Sequence, residues 1–202
     1  MNRMTISDKL RIRTNLELQS RKKCFLEITN MLKKNNINFF LQGGVLLGAY
    51  REKDFIKWDW DVEISLFKED FSKNFELIKT KLKELNFKIC KDINLKKNVK
   101  IDCYKEFPYE ITGYTLVGWN YDLNKKKYFR KEINIPDKFL KNFSEITFLN
   151  DKFNCPNPIE EYLTYQYGDW RTPLRSTIKK DYMTNKFYNE ENYMKKILKK
   201  IY

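Results

Sequence analysis

Asp61 and Glu63 flank Val62 in the run Trp58-Asp59-Trp60-Asp61-Val62-Glu63-Ile64. Along an extended strand alternate residues share a face. Asp61 and Glu63 therefore point one way, Val62 and Ile64 the other. Ile101-Asp102-Cys103 repeats the device, with one carboxylate between two apolar neighbours. Upstream, Gly43-Gly44 separates the apolar run Phe39-Phe40-Leu41 from Val45-Leu46-Leu47. Three carboxylates on neighbouring strands, opposite a glycine turn, suit two hard cations and a nucleotide phosphate. The chemistry they imply is transfer of a phosphate-bearing group.

Composition narrows the alternatives. The 202 residues contain no histidine, which excludes Ser-His-Asp and Cys-His catalysis and histidine-ligated zinc. Acid–base work falls to carboxylates, Lys, Tyr or Cys. The formal charge is +13, carried mostly by dispersed lysines. That reads either as a lysine-rich surface or as attraction to polyanions, including membrane headgroups. No compact Arg-rich cluster with interleaved aromatics marks a nucleic-acid partner. Cys24, Cys90, Cys103 and Cys155 form no C-x-x-C pair. Cys90 and Cys103 read as reduced core residues of strands. Met1 to Arg13 is polar, and no apolar run reaches transmembrane length, so a cytoplasmic location is expected.

The elements that must position these residues follow from periodicity. An apolar stripe predicts a helix over 7–34, ended by Asn35-Asn36. A strand over 37–41 runs into the glycine turn. A short helix over 45–50 follows, its first backbone N–H groups aimed over the glycines. Strand 61–67 and an amphipathic helix over 71–85 come next. Strands 87–93 and 99–104 join through a Lys/Asn turn, and 111–135 is strand-like with a turn near Asn124. A hairpin surrounds Asn150-Asp151. Proline opens a helix over 159–166, and the basic remainder, 174–202, is helical near its end. The expected organisation is one domain over 1–202, with an N-terminal helix (7–34), a catalytic core (36–155) and a C-terminal helical part (156–202).

The run from Gly43-Gly44 through Arg51, followed by Phe55-Ile56-Lys57-Trp58-Asp59-Trp60-Asp61-Val62-Glu63, resembles the signature of the LicD/fukutin-related family. Asp102, closing Val99-Lys100-Ile101-Asp102, is similar to that family's later acidic strand. Cys155-Pro156-Asn157-Pro158 and Tyr167-Gly168-Asp169-Trp170-Arg171-Thr172-Pro173 are similar to its C-terminal motif. The ordered set covers roughly 36–173. Two positions depart from the family pattern. Glu63 stands where a third alternate aspartate is frequent, and Glu52 where histidine is frequent.

The resemblance implies an α+β nucleotidyltransferase fold, a mixed β-sheet with flanking helices and a C-terminal helical segment. It implies cleavage of a CDP-activated alcohol, with the phospho-alcohol passed to a hydroxyl of a glycan or glycolipid and CMP released. Asp61, Glu63 and Asp102 are the expected catalytic residues. Together with Asp59 they would ligate Mg²⁺ or Mn²⁺. Gly43, Gly44, Arg51 and Asp169 are the expected substrate contacts. Each has a plainer alternative: a tight turn at the glycines, a surface arginine at Arg51, a helix end at Asp169. The role of Trp60 stays open. Two further readings use the same residues: a nucleotidyltransferase attaching NMP to a small molecule, RNA or protein, and a catalytically dead nucleotide-binding module.

Overall fold

The computed structural model of the chain describes residues 10–96, 98–106 and 112–188. Helix α1 (Asn15–Lys34) begins later than its apolar stripe predicts, because Thr14 caps it. The Glu17 N–H donates to Thr14 Oγ1 at 3.3 Å, and the Thr14 N–H donates to Glu17 Oε2 at 2.7 Å. This reciprocal box satisfies two of the donors a helix start leaves open. Arg11 also donates to Glu17 at 2.8 Å. That bond is the main reason the Glu17 carboxyl is pulled down to about 2. The predicted residues 7–9 of this helix lie outside the described residues.

The segment after α1 is a correction. Residues 37–41 form no strand. Phe40 makes an isolated bridge to Ser65, and the Leu41 N–H donates to the Asn154 carbonyl at 2.8 Å. The segment is held by two different neighbours and extends neither sheet. Helix α2 (Gly43–Leu47) starts on the glycines themselves and runs into a π-turn, Gly48–Glu52.

Strand β1 (Asp61–Phe67) lies parallel to β4 (Gly113–Asp122). On the other edge of β4 runs β3 (Asn98–Tyr104), antiparallel and paired in turn with β2 (Lys88–Leu95). Strands β5 (Lys127–Arg130) and β6 (Ile133–Pro136) continue from the far end of β4, completing a six-stranded mixed sheet. A separate hairpin pairs β7 (Ser144–Phe148) with β8 (Asp151–Cys155). Its turn residues, Leu149 and Asn150, both have positive φ, the conformation a two-residue hairpin turn needs. The predicted helix over 71–85 is two helices, α3 (Lys68–Lys73) and α4 (Phe75–Glu84), separated at Asn74. Its side-chain amide donates back to the Asp70 carbonyl, competing with helix continuation. Helix α5 (Ile159–Tyr167) matches the expected span closely, and the short α6 (Lys179–Tyr182) follows. The helical segment expected near the C-terminus lies outside the described residues beyond Tyr188.

Alternation on β1 works as predicted: Val62, Ile64 and Leu66 are fully buried, while Asp61 and Glu63 are half-buried on the opposite face. Phe25 of α1 meets Phe55 edge-on at 5.5 Å between ring centroids and contacts Phe148 and Phe153, tying the helix to the hairpin. Cys103 is buried as expected, but Cys90 is exposed. A bulge between Ile89 and Lys91 breaks the alternation there. No helix among the described residues is long and apolar enough to cross a membrane.

Thr14→Ala removes one half of the capping box. It is expected to destabilise the protein by about 1 kcal/mol, read as a lower urea midpoint with an unchanged denaturant slope.

Candidate active site

The carboxylates of Asp59, Asp61 and Glu63 line one cleft, shared with Gly43, Gly44, Arg51, Asp169 and the aromatic residues Trp58, Trp60, Tyr167 and Tyr182. Two segments distant in sequence thus face each other: the glycine turn with the acid strand, and the end of α5 with the chain that follows it. Gly44 is the point of closest approach. A Cβ built there would lie 2.2 Å from Asp59 Oδ2, so only glycine leaves room for that carboxylate. Gly43 has φ +65°, in the left-handed region that favours glycine.

Burial raises the Asp59 carboxyl above the ordinary range, with the buried Arg21 guanidinium opposing the shift. Arg21 donates to the Asp59 carbonyl at 3.0 Å, and Asp59 Oδ1 accepts the Trp60 N–H at 3.0 Å. Asp61 is raised further, first by burial and then by the charges of Asp59 and Glu63, with the charges of Arg21 and Lys100 opposing the shift. Glu63 is compensated differently. Arg130 donates to both of its oxygens, at 2.6 and 3.1 Å, and Gln42 Nε2 donates at 3.3 Å. Gln42 is held in turn by the Tyr162 hydroxyl.

Asp102 stands apart. It pairs with Thr115 across β3 and β4, while Glu63 pairs with the same Thr115 from β1. The expectation of acids on neighbouring strands is therefore corrected: β4 intervenes, and two strand spacings are roughly 9–10 Å. The acid-to-apolar pattern places an acid on a face but carries no information on strand order. Asp102 accepts from Thr115 Oγ1 and pairs with Lys100, both at 2.8 Å, and it is not among the residues lining the cleft. Among the described residues, no group of three or more Asp, Glu, His or Cys side chains is placed to hold a metal ion.

Arg51 is neither a free surface arginine nor an open clamp. It donates to the Trp170 carbonyl at 2.7 Å and to Glu52 at 2.8 Å, joining the first motif to the last. Asp169 is exposed at the rim and accepts from Thr172 Oγ1 at 2.6 Å, which with the nearby backbone N–H groups lowers its carboxyl. Trp60 lines the cleft.

Sequence reasoning missed Arg21, Arg130, Gln42 and Gln166. Arg21 had a signal, since it occupies the helical stripe between Leu18 and Phe25 where an apolar residue is expected. Arg130 had little beyond being an arginine in a lysine-rich chain.

Residues 36–158, more than half of the chain, match the family model described as LicD/FKTN/FKRP, nucleotidyltransferase domain. The chain belongs to this family. It is 27% identical over 154 residues to the human ribitol-5-phosphate transferase FKTN, a match covering 72% of this chain and 32% of that protein. It is 40% identical over 43 residues to the human ribitol 5-phosphate transferase FKRP, covering 21% of this chain and 9% of that protein. The chain thus matches about a third or less of the length of these curated relatives. The structure of the antibiotic-resistance factor ANT(2'')-Ia is similar over 73% of this chain and 72% of its own, at TM-score 0.47 and 13% identity. The LicD/FKTN/FKRP match spans the glycine turn, β1 and β3, and stops just before α5.

The raised carboxyls set a pH dependence. Their folded pKa values lie above the unfolded ones, so their contribution to stability is fully present below the ordinary value near pH 4 and is lost as pH rises through the raised values. Glu17 has the opposite sign and acts only below that range. In the absence of divalent cations, thermal stability is expected to fall between about pH 5 and 8. Asp61→Asn should flatten that fall; an equal slope in the variant would refute the assignment.

Proposed function

We propose that this chain transfers a phospho-alcohol, of the ribitol-, glycerol- or choline-phosphate type, from a CDP-activated donor to a glycan or glycolipid hydroxyl. The observation that carries this is the Gly44 approach to Asp59 in a cleft shared with Asp61 and Glu63, within a chain of the LicD/FKTN/FKRP family. The acceptor oxygen attacks the phosphorus that bears the alcohol. A new P–O bond forms, the P–O bond to the CMP phosphate breaks, CMP leaves, and the acceptor proton passes to a carboxylate of the cleft.

The donor set suits a hard divalent cation. Mg²⁺ is commonly bound by one or two carboxylates, with substrate phosphate and water completing its shell. In this reading Asp59 and Asp61 are the two, and the penalty on their charged forms is what a cation would relieve. Such an ion, Mg²⁺ or Mn²⁺, would neutralise charge on the donor pyrophosphate. Glu63 holds Arg130 at the cleft wall. Gly43 and Gly44 let the backbone approach the phosphate, while Arg51 and Asp169 shape the opposite rim. Asp102 orders the sheet face behind Thr115.

Asp61→Asn is expected to abolish turnover while leaving the fold intact, and retained activity would sink the metal assignment. Gly44→Ala should lower turnover roughly a hundredfold by displacing Asp59, with far-UV circular dichroism unchanged. Chromatography of the products tests the reaction class: CMP marks phospho-alcohol transfer, whereas pyrophosphate from a nucleoside triphosphate would replace this reading with NMP transfer.

A further inference from the structure

Four cations, Lys100, Arg130, Lys131 and Lys179, gather where β5 turns into β6. Arg130 ends β5, Lys131 follows in the turn, and Ile133 opens β6. The Ile133–Tyr188 bridge docks the chain after α6 against this turn, and the Asn134 N–H donates to the Phe187 carbonyl at 3.2 Å. Lys179 of α6 lies over the Tyr188 ring, its Nζ 5.5 Å from the centroid. Lys100 arrives from β3, on the face it shares with Asp102. Arg130, Ile133 and Lys179 line the cleft.

These charges are felt at Lys131. Its ammonium is pushed down from the ordinary range, first by loss of surrounding water and then by Lys100 and Arg130; Lys179 adds to the shift and Glu132 opposes it. Two of the four cations are compensated. Arg130 bonds Glu63, and Lys100 pairs with Asp102 at 2.8 Å. Among the described residues, Lys131 and Lys179 pair with no carboxylate. Both side chains remain exposed at the cleft edge. Like charges at close range repel, and an anion placed among them removes that penalty. Arg51 does not serve this purpose, being engaged by the Trp170 carbonyl and Glu52.

We propose that Lys131 and Lys179 form an anion subsite that takes a phosphate group of a substrate beside the acid strand. This rests on the phospho-transfer reading above and adds which residues meet substrate charge that a cation at Asp59 and Asp61 leaves over. The subsite lies past those two acids. Glu63, which holds Arg130, is two residues along β1 from Asp61, a rise of about 7 Å. Two sources share the chemistry: the nucleotide phosphate that leaves as CMP, and a phosphate already carried by the acceptor. In the first case the ammonium groups offset charge growing on the departing oxygen. In the second they select an acceptor that is itself phosphorylated.

The test is calorimetric titration of the full chain, with Mn²⁺, against CMP, CDP-glycerol and, under saturating CMP, glycerol 3-phosphate. Wild type is compared with Lys131→Gln, Lys179→Gln, Lys179→Arg and Lys180→Gln. Lys180 is the next residue of α6 and does not line the cleft. Each of Lys131→Gln and Lys179→Gln is expected to lose roughly tenfold in affinity for the phosphate-bearing ligand. Lys179→Arg should keep that affinity, Lys180→Gln should match wild type, and the thermal midpoint of Lys131→Gln should hold or rise. Loss of CMP affinity assigns the phosphate to the nucleotide. Loss confined to glycerol 3-phosphate assigns it to the acceptor. Unchanged affinity in either Lys131→Gln or Lys179→Gln overturns the proposal. So does an equal loss in Lys180→Gln, a loss that Lys179→Arg does not restore, or a lowered thermal midpoint in Lys131→Gln. If wild type binds CMP and CDP-glycerol with metal and Asp61→Asn does not, the transfer reading stands whatever the lysine variants do. If wild type binds neither, both readings fall.

Discussion

Asp59 and Asp61 are two carboxyl groups held partly out of water, the first against a backbone that leaves it almost no room. The rest of the cleft follows from that crowding. Gly44 must lack a side chain because the Asp59 oxygen occupies the space. Arg21 is buried behind the pair because a cation there lowers the energy of both carboxylates without entering the cleft. Glu63, the third acid of the run, accepts hydrogen bonds from Arg130 and Gln42. The run from Asp59 to Glu63 thus holds its acids in two ways, one paired with an arginine of the cleft wall and two raised by burial. That division is the physical basis for expecting an external cation at Asp59 and Asp61.

The arginines divide the labour in a way charge counting does not reveal. A formal charge of +13 suggests open guanidinium groups facing the cleft. Instead Arg51 is committed to the Trp170 carbonyl and Arg130 to Glu63. Their bonds join the glycine motif to the C-terminal motif, and the acid strand to β5.

What was legible in the sequence was whatever is encoded by local period. The faces of β1, the β2–β3 pair, the β7–β8 hairpin and helix α5 all follow from alternation or helical spacing over a few residues. The ordered motifs were enough to identify the family, and Asp59, Asp61 and Glu63 do meet the glycines in one cleft. What failed was non-local. No local pattern told that β4 would slide between the strands bearing Glu63 and Asp102, or that residues 37–41 would be shared between two neighbours. Gln166 was invisible for a related reason. A glutamine on a helix looks like surface until the fold buries it.

The parallel pairing of β1 with β4 has a consequence for how the molecule comes into being. The acids sit at the start of β1, and the strand that aligns them begins only at Gly113, after two helices and a hairpin. Closing that long loop is entropically costly and slow relative to forming the hairpin it encloses. During synthesis the acidic wall is therefore made well before the strand that aligns it. Its proper geometry requires that β1 and β4 have paired, so a chain stalled before Gly113 would display the motif residues without the strand that aligns them.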